Sequence, residues 1–165
     1  MKTALCENDL KKDSLCSSCR QRLDDGAMTL KDVEVSRALY RLSKKFFFLN
    51  VEFNKALDLD ELLVLVCQGN IGSLIGKKGR IVAVLSKEFG KKVRVIEKAK
   101  DEKKMLQDLL GSVRVIGVNK VFKPEGHELK VLIEKKDMDK MPLKAEDLEK
   151  SINSLLESKA RVEFV

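Results

Sequence analysis

The sequence matches itself at a displacement of 67 residues without a gap, and this constrains the fold more than any other feature. At that shift Ala38, Leu39 and Leu42 fall on Met105, Leu106 and Leu109, and Val64-Leu65-Val66 fall on Val131-Leu132-Ile133. Ile81, Leu85 and Phe89 fall on Leu148, Ile152 and Leu156, while Arg94 and Val95 fall on Arg161 and Val162. A correspondence running through a helical pattern, a strand, a second helix and a last strand marks a duplicated unit rather than coincidence. Each copy reads helix, strand, strand, short helix, loop, helix, strand, so the chain is of α/β (α+β) class. Its 165 residues, 44% of them apolar, suffice for two small domains with buried cores.

In the first copy Thr29 stands where a helix N-cap belongs, and Val35, Ala38, Leu39, Leu42 and Phe46 then recur on one face over about four turns. Phe46-Phe47-Phe48 reads as core packing where this helix hands over to the strand at Val51-Glu52-Phe53, with a base-stacking platform as the competing reading. A second apolar β-type run covers Leu62 to Cys67, and a third covers Val93 to Ile96. Cys67, at the end of its run, reads as a small buried hydrophobe.

Between those two runs lies Gly76-Lys77-Lys78-Gly79. Two glycines three apart allow a sharp turn and leave no Cβ between the backbone and a ligand. Ile71, Leu74 and Ile75 form a short amphipathic turn before the loop. Ile81, Val82, Leu85 and Phe89 have helical spacing after it, so a helix begins where the second glycine ends. Its first amides then face the same space as Lys77, Lys78 and Arg80, and all of them favour an anion. A bare GxxG is a weak signal, because tight turns need glycine for conformational reasons alone. Here the flanking elements fit as well, and the loop interior is doubly basic.

Charge is distributed as unevenly as the glycines. Residues 72 to 100 carry Lys77, Lys78, Arg80, Lys87, Lys91, Lys92, Arg94, Lys98 and Lys100 against Glu88 and Glu97, nine minus two, which equals the net +7 of the whole chain. The basicity is therefore local, and points to a polyanionic partner. In the second copy Gly76 is replaced by Leu143, Gly79 by Glu146 and Ile75 by Pro142. Residues 70 to 80 hold three cations and no acid, whereas 137 to 147 hold two cations and four acids, giving −2. A nucleic-acid strand would be repelled from the second copy.

Cys6, Cys16 and Cys19 crowd into the N-terminal stretch. Cys16 and Cys19 form a C-x2-C pair, and Cys6 and Asp9 share that spacing, with Asp9 where a fourth cysteine would be usual. Two short-spaced pairs are the common presentation of a structural zinc site. Cys6, Asp9, Cys16 and Cys19 are thus candidate ligands for one zinc ion, the competing reading being a decayed knuckle with free thiols. His127, the only histidine, sits in Pro124-Glu125-Gly126-His127, which reads as a hairpin turn and not as a ligand.

No apolar run approaches the roughly 18 residues that suggest a membrane span, and no N-terminal apolar signal core is seen. The expectation is a cytoplasmic protein without a membrane partner. No nucleophile is paired with a base and no carboxylate cluster suits phosphate hydrolysis, so neither an enzyme nor a small-molecule substrate is expected.

Strand, short helix, GxxG, longer helix and strand in that order resemble the KH domain, whose GxxG loop clamps the backbone of about four unpaired nucleotides. The leading helix and strand before the loop resemble the type II arrangement. That resemblance implies two tandem KH domains, each a three-stranded sheet covered on one face by helices. The divisions are then a cysteine knuckle at 1–26, a first domain with intact GxxG at 27–99, and a degenerate second domain at 100–165. Tandem type II KH units preceded by a cysteine knuckle resemble the archaeal NusA family. The family resemblance implies a single-stranded RNA-binding protein acting in transcription elongation or termination, with RNA polymerase as a further partner. The alternative is a ribosome-associated or ribosome-assembly protein whose partner is the rRNA of the small ribosomal subunit. The RNA site implied comprises Gly76, Lys77, Lys78, Gly79 and Arg80, with Ile71 and Ile75 in the adjoining groove and Lys87 farther along the helix.

Overall fold

The computed structural model describes the backbone of residues 1–165 and the side chains of all but Ala145 and Glu146. The chain divides into two compact units, one of residues 1–58 and 63–97, the other of 59–62 and 98–165. Each contains its own three-stranded sheet. No helix among the described residues is long and apolar enough to cross a membrane.

The first unit opens with two short helices, α1 (Glu7–Leu10) and α2 (Ser17–Asp24), followed by α3 (Leu30–Ser43). Thr29 caps α3 in a reciprocal capping box: its hydroxyl accepts from the Asp32 N–H, and Asp32 accepts from the Thr29 N–H. Asp32 also accepts a hydrogen bond from the Ala56 N–H at 2.6 Å, which fixes the buried start of α3 to the neighbouring strand. The apolar face expected from the sequence is present, with Val35, Ala38, Leu39 and Leu42 buried. The helix ends at Ser43 and does not reach Phe46. Its last carbonyls are taken in a tightened turn, Lys44 N–H to Arg41 O and Lys45 N–H to Leu42 O, with the Ser43 hydroxyl on Tyr40 O.

Strands β1 (Val51–Asp58) and β2 (Leu62–Gly69) pair antiparallel with a bulge between Phe53 and Lys55, and β3 (Lys92–Glu97) lies on the far side of β2. Helices α4 (Ile71–Ile75) and α5 (Arg80–Phe89) connect β2 to β3. Leu74, Ile81 and Leu85 join Leu63, Leu65, Cys67, Val35 and Leu39 in one buried cluster. All six residues from Leu62 to Cys67 are buried. A sheet covered on one face alone would leave alternate residues in water, so the middle strand of this sheet departs from that expectation and is buried on both faces. Cys67 is buried as expected, and burial pushes its thiol up to about 12.

The cysteine segment belongs to the same compact unit as residues 27 to 58. Lys2 bridges to Glu52 in parallel fashion at the β1 edge, with Lys2 N–H on Val51 O and Phe53 N–H on Lys2 O. Leu5 and Cys19 are buried in the common core.

The second unit runs α6 (Glu102–Leu110), β4 (Val115–Lys123), β5 (Gly126–Ile133), a 3-10 turn over Lys135–Lys140, α7 (Ala145–Leu156) and β6 (Ala160–Phe164). The sheet order is β4-β5-β6, with β4 and β5 antiparallel and β5 and β6 parallel. Leu129, Val131 and Ile133 of β5 are buried, while Lys130 and Leu132 between them are only half-buried, the alternation of a sheet covered on one face. Pro124 and Glu125 make the tight hairpin turn, Lys123 pairing with Gly126, and His127 is an exposed strand residue just beyond it.

The 67-residue displacement holds through the leading helix, with α3 and α6 ending at Ser43 and Leu110, and again from the second strand onward, but fails at the first strand between them. Val64 pairs with Leu57, whereas Val131, its counterpart, pairs with Val118, six residues short of the counterpart of Leu57. The second copy spends fewer residues between its first helix and first strand and more in the hairpin. Strand pairing absorbs the exchange without altering chain length.

Candidate nucleic-acid interface and metal cluster

The loop between α4 and α5 is built by backbone conformations that the two glycines supply. Gly76 has φ +78° and Gly79 has φ +73°. At Gly76 an added Cβ would stand 2.9 Å from Ile81 Cγ1 and 3.1 Å from the Ile81 backbone nitrogen, so the close passage of the loop over α5 admits no side chain there. At Gly79 an added Cβ would meet nothing within 4 Å. The space beside Gly79 is open to a ligand. Lys78, between them, is also left-handed at φ 55° and ψ 29°, a conformation costing a non-glycine residue about 1 kcal/mol.

No side chain caps α5, whose N-cap is Gly79. The Arg80 N–H donates to Lys77 O within the turn, and among the described residues no side chain serves the amides that follow, which present a partial positive charge. Lys77, Lys78 and Arg80 are exposed around this end. Among the described residues Lys77 and Lys78 have no ion-pair partner. The guanidinium of Arg80 lies 5.6 Å from the centre of the Phe46 ring. Lys87 is exposed on the same face of α5 as Arg80 but two turns away, about 10 Å along the axis, and so is not part of the loop. Ile71 and Ile75 are half-buried; Leu74 and Ile81 are committed to the core.

The aromatic run divides. Phe48 is buried and Phe46 half-buried under Arg80, but Phe47 is 83% exposed, so core packing accounts for two of the three rings only. The extended backbone after α3 sends successive side chains to opposite sides. The pair Lys44-Lys45 just before the phenylalanines was the sequence signal of a wet, basic aromatic turn.

The second candidate site gathers Cys6, Asp9, Cys16 and Cys19. One ligand atom from each lies within 4.8 Å of every other. Local structure explains the convergence. Cys6 is the N-cap of α1 with Asp9 three residues on, and Cys16 is the N-cap of α2 with Cys19 three residues on, so two helix starts present two donors each. The Cys19 N–H donates to Cys16 Sγ at 3.4 Å and the Cys16 N–H to Asp9 Oδ2 at 3.0 Å. Arg37 of α3 donates to the carbonyls of Asp9 and Ser14, tying the connection to the main body. Asp9 and Cys19 are each 2% exposed, while Cys6 and Cys16 face solvent.

Cys6 Sγ and Cys16 Sγ stand 3.9 Å apart. A tetrahedral centre with bonds of about 2.3 Å to sulfur sets its sulfurs about 3.8 Å apart. The donor set therefore fits a metal ion. The Cys16 backbone N–H, with the Cys19 thiol, draws the Asp9 carboxylate down to about 2, and burial pushes the Cys19 thiol up to about 12. A buried thiol that resists ionisation alone is deprotonated outright by a coordinated divalent cation.

No family model matches the sequence, and no curated protein does. Its fold is similar to a solved structure, "Crystal structure of APE1850", with a TM-score of 0.60 at 16% sequence identity, covering 84% of this chain and 100% of that one. At that identity the likeness concerns architecture alone.

Proposed function

We propose that this protein binds single-stranded RNA through the first unit, acting as a KH domain of type II, and that the second unit is a KH relative without the RNA loop. The observation that carries the reading is the loop itself. Three left-handed residues, Gly76, Lys78 and Gly79, expose two lysines, unpaired among the described residues, at the start of α5. Phosphate is the anion such an arrangement takes, and RNA supplies it as a chain. Half-buried Ile71 and Ile75 supply the apolar groove floor against which unpaired bases rest. Nothing in this arrangement calls for catalysis, and we read the protein as a non-catalytic RNA-binding factor of NusA type, working on transcription.

Zinc is the metal we assign to the cysteine cluster, because it offers four donors of types that zinc binds, three of them the sulfurs that structural zinc sites favour. Its role would be to secure the N-terminal segment within the first unit.

The direct test is RNA binding by the Lys77→Asp, Lys78→Asp double variant. Like charge facing the phosphates should reduce affinity at least about 100-fold while the circular dichroism spectrum stays unchanged. Wild-type affinity in the variant would remove the site. Binding should also fall steeply with salt, since backbone contacts dominate.

A further inference from the structure

We propose that Phe47 is a stacking platform for an unpaired base that follows or precedes the nucleotides held at the glycine loop, so that the RNA site extends from Gly79 over the turn after α3. The inference rests on the RNA reading above. Phe47 is 83% exposed, while its neighbours on either side are packed. A single open ring edge is ordinary, but this one sits in a basic surround. Residues 40 to 50 include Arg41, Lys44 and Lys45 and no acidic residue, Arg41 being paired with Glu88 of α5. The Lys44 ammonium lies 4.9 Å from the centre of the Tyr40 ring. Beside Phe47 is a depression of about 390 Å³ walled by Leu10, Tyr40, Phe48 and Met1, with Lys11 and one acid, Glu7, on its rim.

Continuity with the loop comes from Arg80. This residue starts α5, and its guanidinium covers the ring of Phe46, the residue next to Phe47. Because Phe46 and Phe47 point to opposite sides, a strand leaving the loop past Arg80 has to cross the turn at Lys44 and Lys45 before it meets the open ring. Aromatic faces accept any base, and flanking lysines neutralise the adjoining phosphates, which is the sequence-tolerant mode of single-strand binding. A protein partner would also find an exposed phenylalanine, but Lys11, Lys44 and Lys45 outnumber the one acid beside the ring, Glu7, and favour a polyanion.

The experiment compares Phe47→Ala and Phe47→Trp with wild type, in the full chain, on oligouridylates of about four and about twelve nucleotides, a span set by the roughly four nucleotides a GxxG loop clamps. Phe47→Ala should bind the longer oligomer roughly 5- to 100-fold more weakly and the shorter one nearly as well as wild type. Phe47→Trp should keep or improve the longer interaction. A 2-aminopurine placed outside the loop-bound nucleotides should lose its quenching in Phe47→Ala. Undiminished binding of the longer oligomer by Phe47→Ala, with the Lys77→Asp, Lys78→Asp variant inactive, overturns the platform and leaves the loop reading standing; equal weakening on both lengths likewise overturns the extension. Absence of binding by wild type to either oligomer overturns both readings.

Discussion

The helix after the loop in the first unit and its counterpart in the second bury their residues alike: Ile81 and Leu85 are buried with Phe89 half-buried, and Leu148 and Ile152 are buried with Leu156 half-buried. The segments that lead from the middle strand to those helices differ. One is a glycine loop with three left-handed residues and exposed lysines; the other is a 3-10 turn, Lys135–Lys140, with no positive φ from 135 to 144. Its acid Asp137 is buried and occupied, accepting from the Arg114 N–H and from Lys140, both at 3.0 Å. Those contacts hold its carboxylate below the usual range, the Arg114 N–H first. The comparison teaches that packing sets the helix and leaves the connection free to differ: in one copy it carries a glycine tip open to a ligand, in the other it carries an acid spent on the fold.

The largest expected effect tests that difference directly. Lys77→Asp with Lys78→Asp should lose at least about 100-fold in RNA affinity, whereas Lys144→Asp, at the position matching Lys77 and also exposed, should change it by less than about twofold. A comparable loss from Lys144→Asp, read by fluorescence anisotropy, would mean that both units carry the strand.

Next comes the metal. Elemental analysis should find about one zinc per chain. Because metal binding and folding are linked at such sites, chelation should expose the cysteine segment to protease before any cut occurs beyond residue 98. Asp9→Cys should hold the ion against chelator longer, since thiolate is the better ligand. Resistance of the N-terminal segment to protease after complete chelation would show that Arg37 and the Lys2 bridge secure it without metal.

The two glycines separate fold from ligand. Gly76→Ala meets Ile81 and should cost the first unit roughly 1 to 3 kcal/mol by urea unfolding, a clash added to an unfavourable φ. Gly79→Ala meets nothing and should cost only about 1 kcal/mol, yet it places a methyl where a phosphate would lie and should weaken RNA binding severalfold. Equal stability losses would show that the passage over Ile81 relaxes.

Much of this was legible beforehand because it follows from short-range rules. The start of α3 follows from Thr29 and Asp32, the span of α5 from its apolar spacing, and the two short-spaced ligand pairs from their cysteines. What depends on partners distant in sequence was not legible. Register in the first hairpin is decided by pairing and turn length, and so the six-residue displacement beneath an ungapped alignment was invisible. The exposure of Phe47 depends on where α3 stops, and that was set by Ser43 and the tightened turn rather than by the apolar face, which nominally ran to Phe46. The burial of β2 on both faces was written in its unbroken apolar run, but helices on one face alone do not explain it.

The smallest effect gives the most controlled comparison of the two copies. Gly90 ends α5 with φ 65°, and Glu157, its counterpart at the 67-residue displacement, ends α7 with φ 53°. One left-handed cap is thus made by glycine and the other by an exposed glutamate. A side chain added at Gly90 would meet nothing within 4 Å, so the cost of replacing it is conformational alone. Gly90→Glu should therefore destabilise the first unit by about 1 kcal/mol. Glu157→Gly should stabilise the second by about 0.5 to 1 kcal/mol, less the few tenths that its own surface contact contributes. For domains of this size that is a rise of a few degrees in the melting transition. Opposite signs in the two variants would show that the duplicated scaffold kept the same left-handed stop while its sequence drifted; a loss of stability in Glu157→Gly would show instead that the glutamate contact holds the end of α7.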